Sequence, residues 1–169
     1  MTIVLQTDRL ALREMNADDA AFVLELINEP GWLRFIGDRG IRDEAGARDY
    51  IANGPVAMYR RLGFGLWAAV RRSDGTPLGM CGLIKRDTLD DVDIGFAFLE
   101  RHSGQGYAFE AADAVLAHAR EVVGLKRVVA ITSMDNDKSI RLLGKIGLRF
   151  EKLVQLGDSQ EDVRLFGTA

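Results

Sequence analysis

The residues best placed to do chemistry run from Asp93 to Glu110: a short apolar stretch, Ile94 to Leu99, then Arg101-His102-Ser103-Gly104-Gln105-Gly106, then a helix-like pattern from Tyr107 onward. A strand that stops at closely spaced glycines and restarts as a helix gathers unpaired backbone N–H groups at the positive end of the helix dipole. Such a cradle holds phosphate, because glycine lets the backbone approach an anion with no Cβ in the way. The pyrophosphate of a nucleotide-bearing cofactor is therefore expected on Gly104 to Ala108.

Three cofactors compete for this cradle. A dinucleotide fingerprint needs a small residue at the sixth position of Gly-x-Gly-x-x-Gly, where this chain has Phe109, and an acidic strand end about 20 residues on, which is missing. A P-loop needs Gly-Lys-Ser/Thr, and that tripeptide occurs nowhere in the chain. Coenzyme A needs a strand directly before the loop, along which its pantetheine arm pairs like an added β-strand. Ile94 to Leu99 supplies that strand.

The elements that must position these residues alternate along one unbroken domain, residues 1–169. Composition suits a globular fold, with 169 residues, 47% hydrophobic and 28% charged. A net charge of −3 offers no footprint for nucleic acid or an anionic membrane. The single cysteine, Cys81, allows no intrachain disulfide and no thiolate cluster, so no metal is expected. Met1 to Leu10 lacks the apolar core of a signal peptide, and no apolar run is long enough to span a bilayer. A cytoplasmic protein is the expectation.

Leu10 to Met15 alternates like a half-buried strand, and Asn16-Ala17-Asp18-Asp19 caps a helix that Pro30-Gly31 should end. A second helix opens at Asp43 or Glu44, with Gly54-Pro55 expected to split or kink it. Phe64 to Arg72 and Pro77 to Lys85 form an antiparallel pair around the turn residues Asp74-Gly75. After the strand at Ile94 come a long helix, Gln105 to Val123, and a buried strand, Arg127 to Thr132. A short helix from Asn136 or Asp137 to Ile146 and two strands, near Phe150 to Leu156 and Asp162 to Phe166, complete the chain.

Arg101-x-x-Gly104-x-Gly106, after Ile94-Gly95-Phe96-Ala97-Phe98, resembles the acetyl-CoA signature of the GNAT superfamily of N-acetyltransferases. Thr7-Asp8-Arg9-Leu10-x-Leu12-Arg13, with Asp18-Asp19-Ala20 after it, resembles the opening of its RimJ/RimL-like branch. Asn136-x-x-Ser139-x-x-Leu142-Leu143-x-Lys145-Ile146-Gly147-Leu148 resembles that branch's C-terminal motif. Three motifs in order cover almost the whole chain. The resemblance implies an α/β (α+β) GNAT-like fold: a twisted, mixed, mostly antiparallel sheet flanked by helices and splayed at the strand ending near Phe98. The acetyl-pantetheine arm would enter that gap.

The same resemblance assigns roles. Backbone groups of Ala97, Phe98 and Leu99 would meet the acetyl carbonyl and the pantetheine amides. Arg101, His102, Ser103, Gly104, Gln105, Gly106, Tyr107 and Ala108 would supply the pyrophosphate loop, with His102 read as a loop residue rather than a base. Asn136 would hydrogen-bond the arm, although the same residue would also cap a helix. Ser139, one turn further on, would donate a proton to the departing CoA thiolate. Asp93 is the first candidate for general base, ahead of Asp158 and Glu161, while Glu110 is expected to support its helix terminus. The implied reaction is direct acetyl transfer in a ternary complex to a primary amine, either a protein N-terminal α-amine, ribosomal proteins included, or a small amine. Pro30 to Tyr59, with Trp32, Arg34, Phe35, Asp38, Arg39 and Arg42, is the segment expected to choose between them. A CoA-binding sensor or interaction module without transfer activity fits the same motifs, and a homodimer through an edge strand is compatible with them.

Overall fold

The computed structural model describes residues 2–169, so that of the stretches read above only Met1 lies outside the described residues. Eight strands form one sheet in the order β1-β2-β3-β4-β5-β6-β8-β7. These are β1 (Ile3–Gln6), β2 (Leu10–Arg13), β3 (Leu66–Arg71), β4 (Pro77–Ile84), β5 (Asp93–Phe98), β6 (Val129–Thr132), β7 (Arg149–Val154) and β8 (Val163–Gly167). All neighbours are antiparallel except β5 and β6. The α/β architecture with a mostly antiparallel mixed sheet is the expected one.

The six α-helices lie on the sheet's two faces: α1 (Ala20–Ile27), α2 (Pro30–Phe35), α3 (Glu44–Ile51), α4 (Ala57–Leu62), α5 (Tyr107–His118) and α6 (Asp137–Lys145). Two cores result. Val23, Leu26, Trp32, Ala47 and Ile51 pack with Ala68 and Met80 on one face, and Ala112, Val115, Leu116 and Leu143 pack with Trp67, Leu83 and Ile94 on the other. Asn16 and Asp19 reciprocally cap the 3-10 turn Ala17–Asp19 that leads into α1. Asp19 also takes a two-pronged ion pair from Arg13 on β2, at 2.8 and 2.9 Å with both residues buried.

Three local features take a definite form. α1 ends at Ile27, before Pro30, and Pro30 itself starts α2 as its first residue, where its missing N–H and fixed φ suit a helix start. Gly54-Pro55 splits the second helix into α3 and α4 as expected, through one wide π turn, Ala52–Val56, which accommodates a residue lacking the N–H of an ordinary turn. The long helix likewise ends in a π turn, Ala119–Val123. β1, a strand not expected from the sequence, pairs antiparallel with β2.

What positions the site is the seam between β5 and β6. The chain leaves β5, crosses by α5 and returns parallel as β6, yet the two strands pair at one position only, Asp93 with Val129. Beyond it the sheet opens along the rest of β5, up to Phe98.

Candidate functional site

Two hydrogen bonds fix which way the β5 backbone faces. Val129 N donates to Val92 O across the seam at 3.0 Å, and Leu99 N donates to Leu78 O of the opposite neighbour at 2.9 Å. Backbone groups alternate along a strand, so those of Ile94, Phe96 and Phe98 face the gap, while those of Ala97 and Leu99 face β4. Side chains alternate too. Phe96 and Phe98 pack with the α5 core, whereas Ala97 packs with the α1–α3 core. Leu99 is fully buried.

β5 runs directly into the glycine loop. His102 N and Ser103 N are engaged in the short turn Glu100–His102 by Leu99 O and Glu100 O. Ser103 Oγ donates to Glu100 O, and the Arg101 guanidinium pairs with Glu25 of α1. The His102 ring keeps Nε2 buried without a partner, and burial, then the neighbouring Arg101 and Arg71 cations, hold its pKa below the usual range. Gly104 and Gly106 take positive φ, 75° and 82°, which only glycine adopts readily. Gly106 is the N-cap of α5 and offers no side chain to cap it, so the N–H groups of Tyr107, Ala108 and Phe109 point out of the first turn without intrahelical acceptors. Gln105 O accepts from Arg9 Nη1 at 2.9 Å. Arg9 Nε also donates to Glu110 at 2.7 Å, and Thr7 Oγ1 donates to the same carboxylate. The Thr7-Asp8-Arg9 motif thus clasps the first turn of α5 through Glu110, whose role here is support.

A cleft of about 240 Å³ opens at the seam. Ala97 and Gly95 form its floor, Asn136 and Ser139 of α6 one side, and Trp32, Phe35 and Tyr50 the other. Asn136 caps α6, its Oδ1 accepting from Ser139 N at 3.4 Å, and still borders the cleft, as the half-buried Ser139 does. Thr132 Oγ1 and Ser133 Oγ, and across the cleft Trp32 Nε1, are buried with no hydrogen-bond partner among the described residues. Buried polar atoms of this kind are rare in folded proteins and call for a partner. Thr132 and Ser133 carried no sequence signal, since a strand-end Thr-Ser pair is unremarkable until its partner strand turns away.

Asp93 lies in this cleft, 1% exposed. Burial pushes its carboxyl up to about 6, against the opposing pull of Arg86, whose Nε donates to Oδ1 at 3.1 Å. Arg86, which follows β4, was missed in the sequence because nothing in Lys85-Arg86-Asp87 distinguishes a cleft cation from a turn charge. Asp158 and Glu161 are exposed on the β7–β8 connection, which borders the cleft through Leu156 and Val163. Of the Pro30 to Tyr59 segment, Trp32, Phe35, Arg39 and Tyr50 reach the cleft. Arg42 pairs with Asp38 and Arg34 with Asp135 at the surface. Among the described residues no three acidic, histidine or cysteine side chains gather as a metal site, and no helix is long and apolar enough to cross a membrane.

The chain has clear relatives. A family model described as an acetyltransferase (GNAT) domain matches residues 9–149. YkkB of Bacillus subtilis, itself uncharacterised, is 31% identical over 154 residues, covering 89% of this chain and 88% of the relative. An acetyltransferase from Agrobacterium tumefaciens superimposes with a TM-score of 0.82 at 25% identity, covering 98% of this chain and 93% of that one. RimL, a ribosomal α-N-protein acetyltransferase solved with coenzyme A, shares the fold at a TM-score of 0.71 and 15% identity, covering 98% of this chain and 96% of its own.

Proposed function

Because this chain belongs to the GNAT acetyltransferase family, we propose that it moves acetyl from acetyl-CoA to a primary amine, directly and within a ternary complex. One observation carries the reading: the unpaired edge of β5 leads straight into the glycine-built start of α5, with Asp93 and Ser139 in the cleft beside it. The residues present suit the donor. A strand edge presenting Ile94, Phe96 and Phe98 matches an extended diamide arm, and the uncapped first turn of α5 matches a pyrophosphate. Thr132, Ser133 and Asn136 supply further polar partners on the facing side. The fold shared with RimL, whose structure holds coenzyme A, supports the RimJ/RimL-like reading of the sequence motifs.

Acetyl-CoA supplies an activated thioester, and the chain's own groups do the rest. Backbone N–H groups on the gap edge of β5 polarise the thioester carbonyl, the oxyanion-type stabilisation acyl transfer needs. Asp93, ionised above about pH 6, accepts the proton that the amine loses as its nitrogen bonds to the carbonyl carbon. As the carbon–sulfur bond breaks, Ser139 Oγ donates its proton to sulfur and regains one from solvent. A thiol with a pKa near 8.5 leaves readily, so Ser139 contributes less than the base. The acceptor is a primary amine, whether a protein N-terminus of the kind RimL modifies or a small molecule.

Following free thiol release from acetyl-CoA over a panel of peptides, polyamines and amino acids tests the proposal. Amine-dependent release supports it. Tight CoA binding with no release across the panel would replace transfer by sensing, and absence of CoA binding would remove both.

A further inference from the structure

Three charged side chains line the cleft: Arg39, Arg86 and Asp93. Arg86 donates Nε to Asp93, which leaves both Nη atoms of its guanidinium fork without a hydrogen-bond acceptor among the described residues. Arg39 has no carboxylate partner at all among them. Its guanidinium carbon lies 5.7 Å from the centroid of the Tyr50 ring. Arg39 and Arg86 line the cleft together with Tyr50 and come from separate parts of the chain: the α2–α3 connection and the segment after β4. With Asp93 ionised the cleft still carries one positive charge in excess, with the exposed Arg39 and the half-buried Arg86 beside Trp32, Phe35 and Tyr50.

An acceptor whose only charge is its ammonium group would be repelled by that excess, and the Arg39 fork and the free edge of Arg86 would gain no partner. An acceptor that also carries a carboxylate satisfies them, since a planar fork matches a carboxylate two-pronged. Size points the same way: about 240 Å³ must take both the end of the pantetheine arm and the acceptor, which is below the usual range for a drug-sized ligand. Resting on the acetyl-transfer reading above, we infer that the acceptor is a small amino carboxylate of amino-acid size, its carboxylate held by Arg39 and Arg86 and its apolar body against Trp32, Phe35 and Tyr50. Arg39 then acts as a specificity residue.

The test compares free apolar and aromatic amino acids with their decarboxylated amines, their carboxamides and short peptides as acceptors. Thiol release is followed, and calorimetry on CoA-loaded protein measures acceptor binding. Free amino acids should exceed the matched amine and amide by about tenfold or more in kcat/KM, the worth of a charge-assisted pair. Arg39→Ala should raise KM for the amino acid by a similar factor, with KM for acetyl-CoA shifted less than about twofold, and Arg39→Lys should recover part of the loss. Equal or better turnover of decarboxylated amines or peptide N-termini overturns the inference while leaving acetyl transfer intact. So does failure of every amino carboxylate to bind the CoA-loaded protein. Failure of acetyl-CoA itself to bind removes the underlying reading instead, so the two failures are distinguishable.

Discussion

The two halves of the cleft are built from different materials. The donor half, the β5 edge and the residues from Gly104 to Phe109, is almost entirely backbone: a strand whose neighbour turns away after Asp93 and a helix start capped by a glycine. The acceptor half is side chain, with Trp32, Tyr50, Arg86 and Asp93 arriving from four separate parts of the chain. Backbone groups bind what is common to every donor molecule and tolerate sequence change, whereas a wall of side chains can be rebuilt without disturbing them. Mutations should therefore separate by half, with acceptor-side changes appearing in turnover and donor-side changes in cofactor affinity.

Asp93→Asn should give the largest effect. Loss of a positioned base lowers kcat/KM for the acceptor by about 10² to 10⁴, while acetyl-CoA affinity changes little. The pH profile carries the signature. Activity of the unmutated protein rises as Asp93 ionises around pH 6, and that limb should vanish in the variant. Stability moves the opposite way. The folded protein holds this proton more tightly than the unfolded chain, whose aspartates titrate near 3.9. The Asp93 contribution is thus most favourable below about pH 4 and declines as pH rises through about 6, by about 3 kcal/mol. Urea melts at pH 4 and pH 7 should differ by less in Asp93→Asn than in the parent. An unchanged activity limb would assign the titration to another group.

Ser139→Ala comes next, with kcat lowered by about 10²-fold, the low end for a positioned acid because a thiolate is a good leaving group. Thiol acceptor reagents report it directly. Acceptors of lower pKa should show the same relative loss, since the variant impairs departure of sulfur and not attack by nitrogen. Full turnover in the variant would pass the proton donor's role to water.

The contrast in materials also explains what the sequence made legible. Gly104, Gly106 and the strand before them announce the donor half because their chemistry depends on spacing along one continuous stretch. Even there, only the folded backbone shows that Phe96 and Phe98 face the gap while Ala97 and Leu99 face β4, because strand parity depends on which neighbour β5 pairs with. Asn136 and Ser139 were visible through their one-turn spacing. Arg86, Thr132 and Ser133 were not: each becomes a site residue through the divergence of β5 and β6, a long-range event that no local pattern encodes. Pro30 shows the same limit at the level of elements, where one residue type both stops and starts helices and only the neighbouring Trp32, buried under α1, decides.

Gly106→Val probes the donor half at smaller cost. A β-branched residue at φ 82° is strained, by about 1 to 2 kcal/mol, and relief of that strain turns the uncapped N–H groups away from an anion. Acetyl-CoA should bind about tenfold more weakly by calorimetry, with kcat at saturating donor nearly unchanged. A fall in kcat alone would place the loop in catalysis and blur the division between the halves.

The smallest effect concerns an exposed ion pair between the two sides of the cleft. Arg34 of α2, on the acceptor side, reaches Asp135 beside Asn136 at 3.0 Å, with both side chains about two-thirds exposed. An exposed pair contributes about 0.2 to 1 kcal/mol and weakens as salt screens it. Arg34→Ala should accordingly lower Tm by no more than about 4 °C, a difference that shrinks at high salt. Arg13→Ala, which strands Asp19 in the interior, should cost about 3 to 5 kcal/mol whatever the salt. If the halves act independently, Arg34→Ala leaves the KM for donor and acceptor each within about twofold. A joint rise in both would show that this bridge sets the width of the cleft, and that the α2 wall and the β6–α6 connection close on their ligands as one.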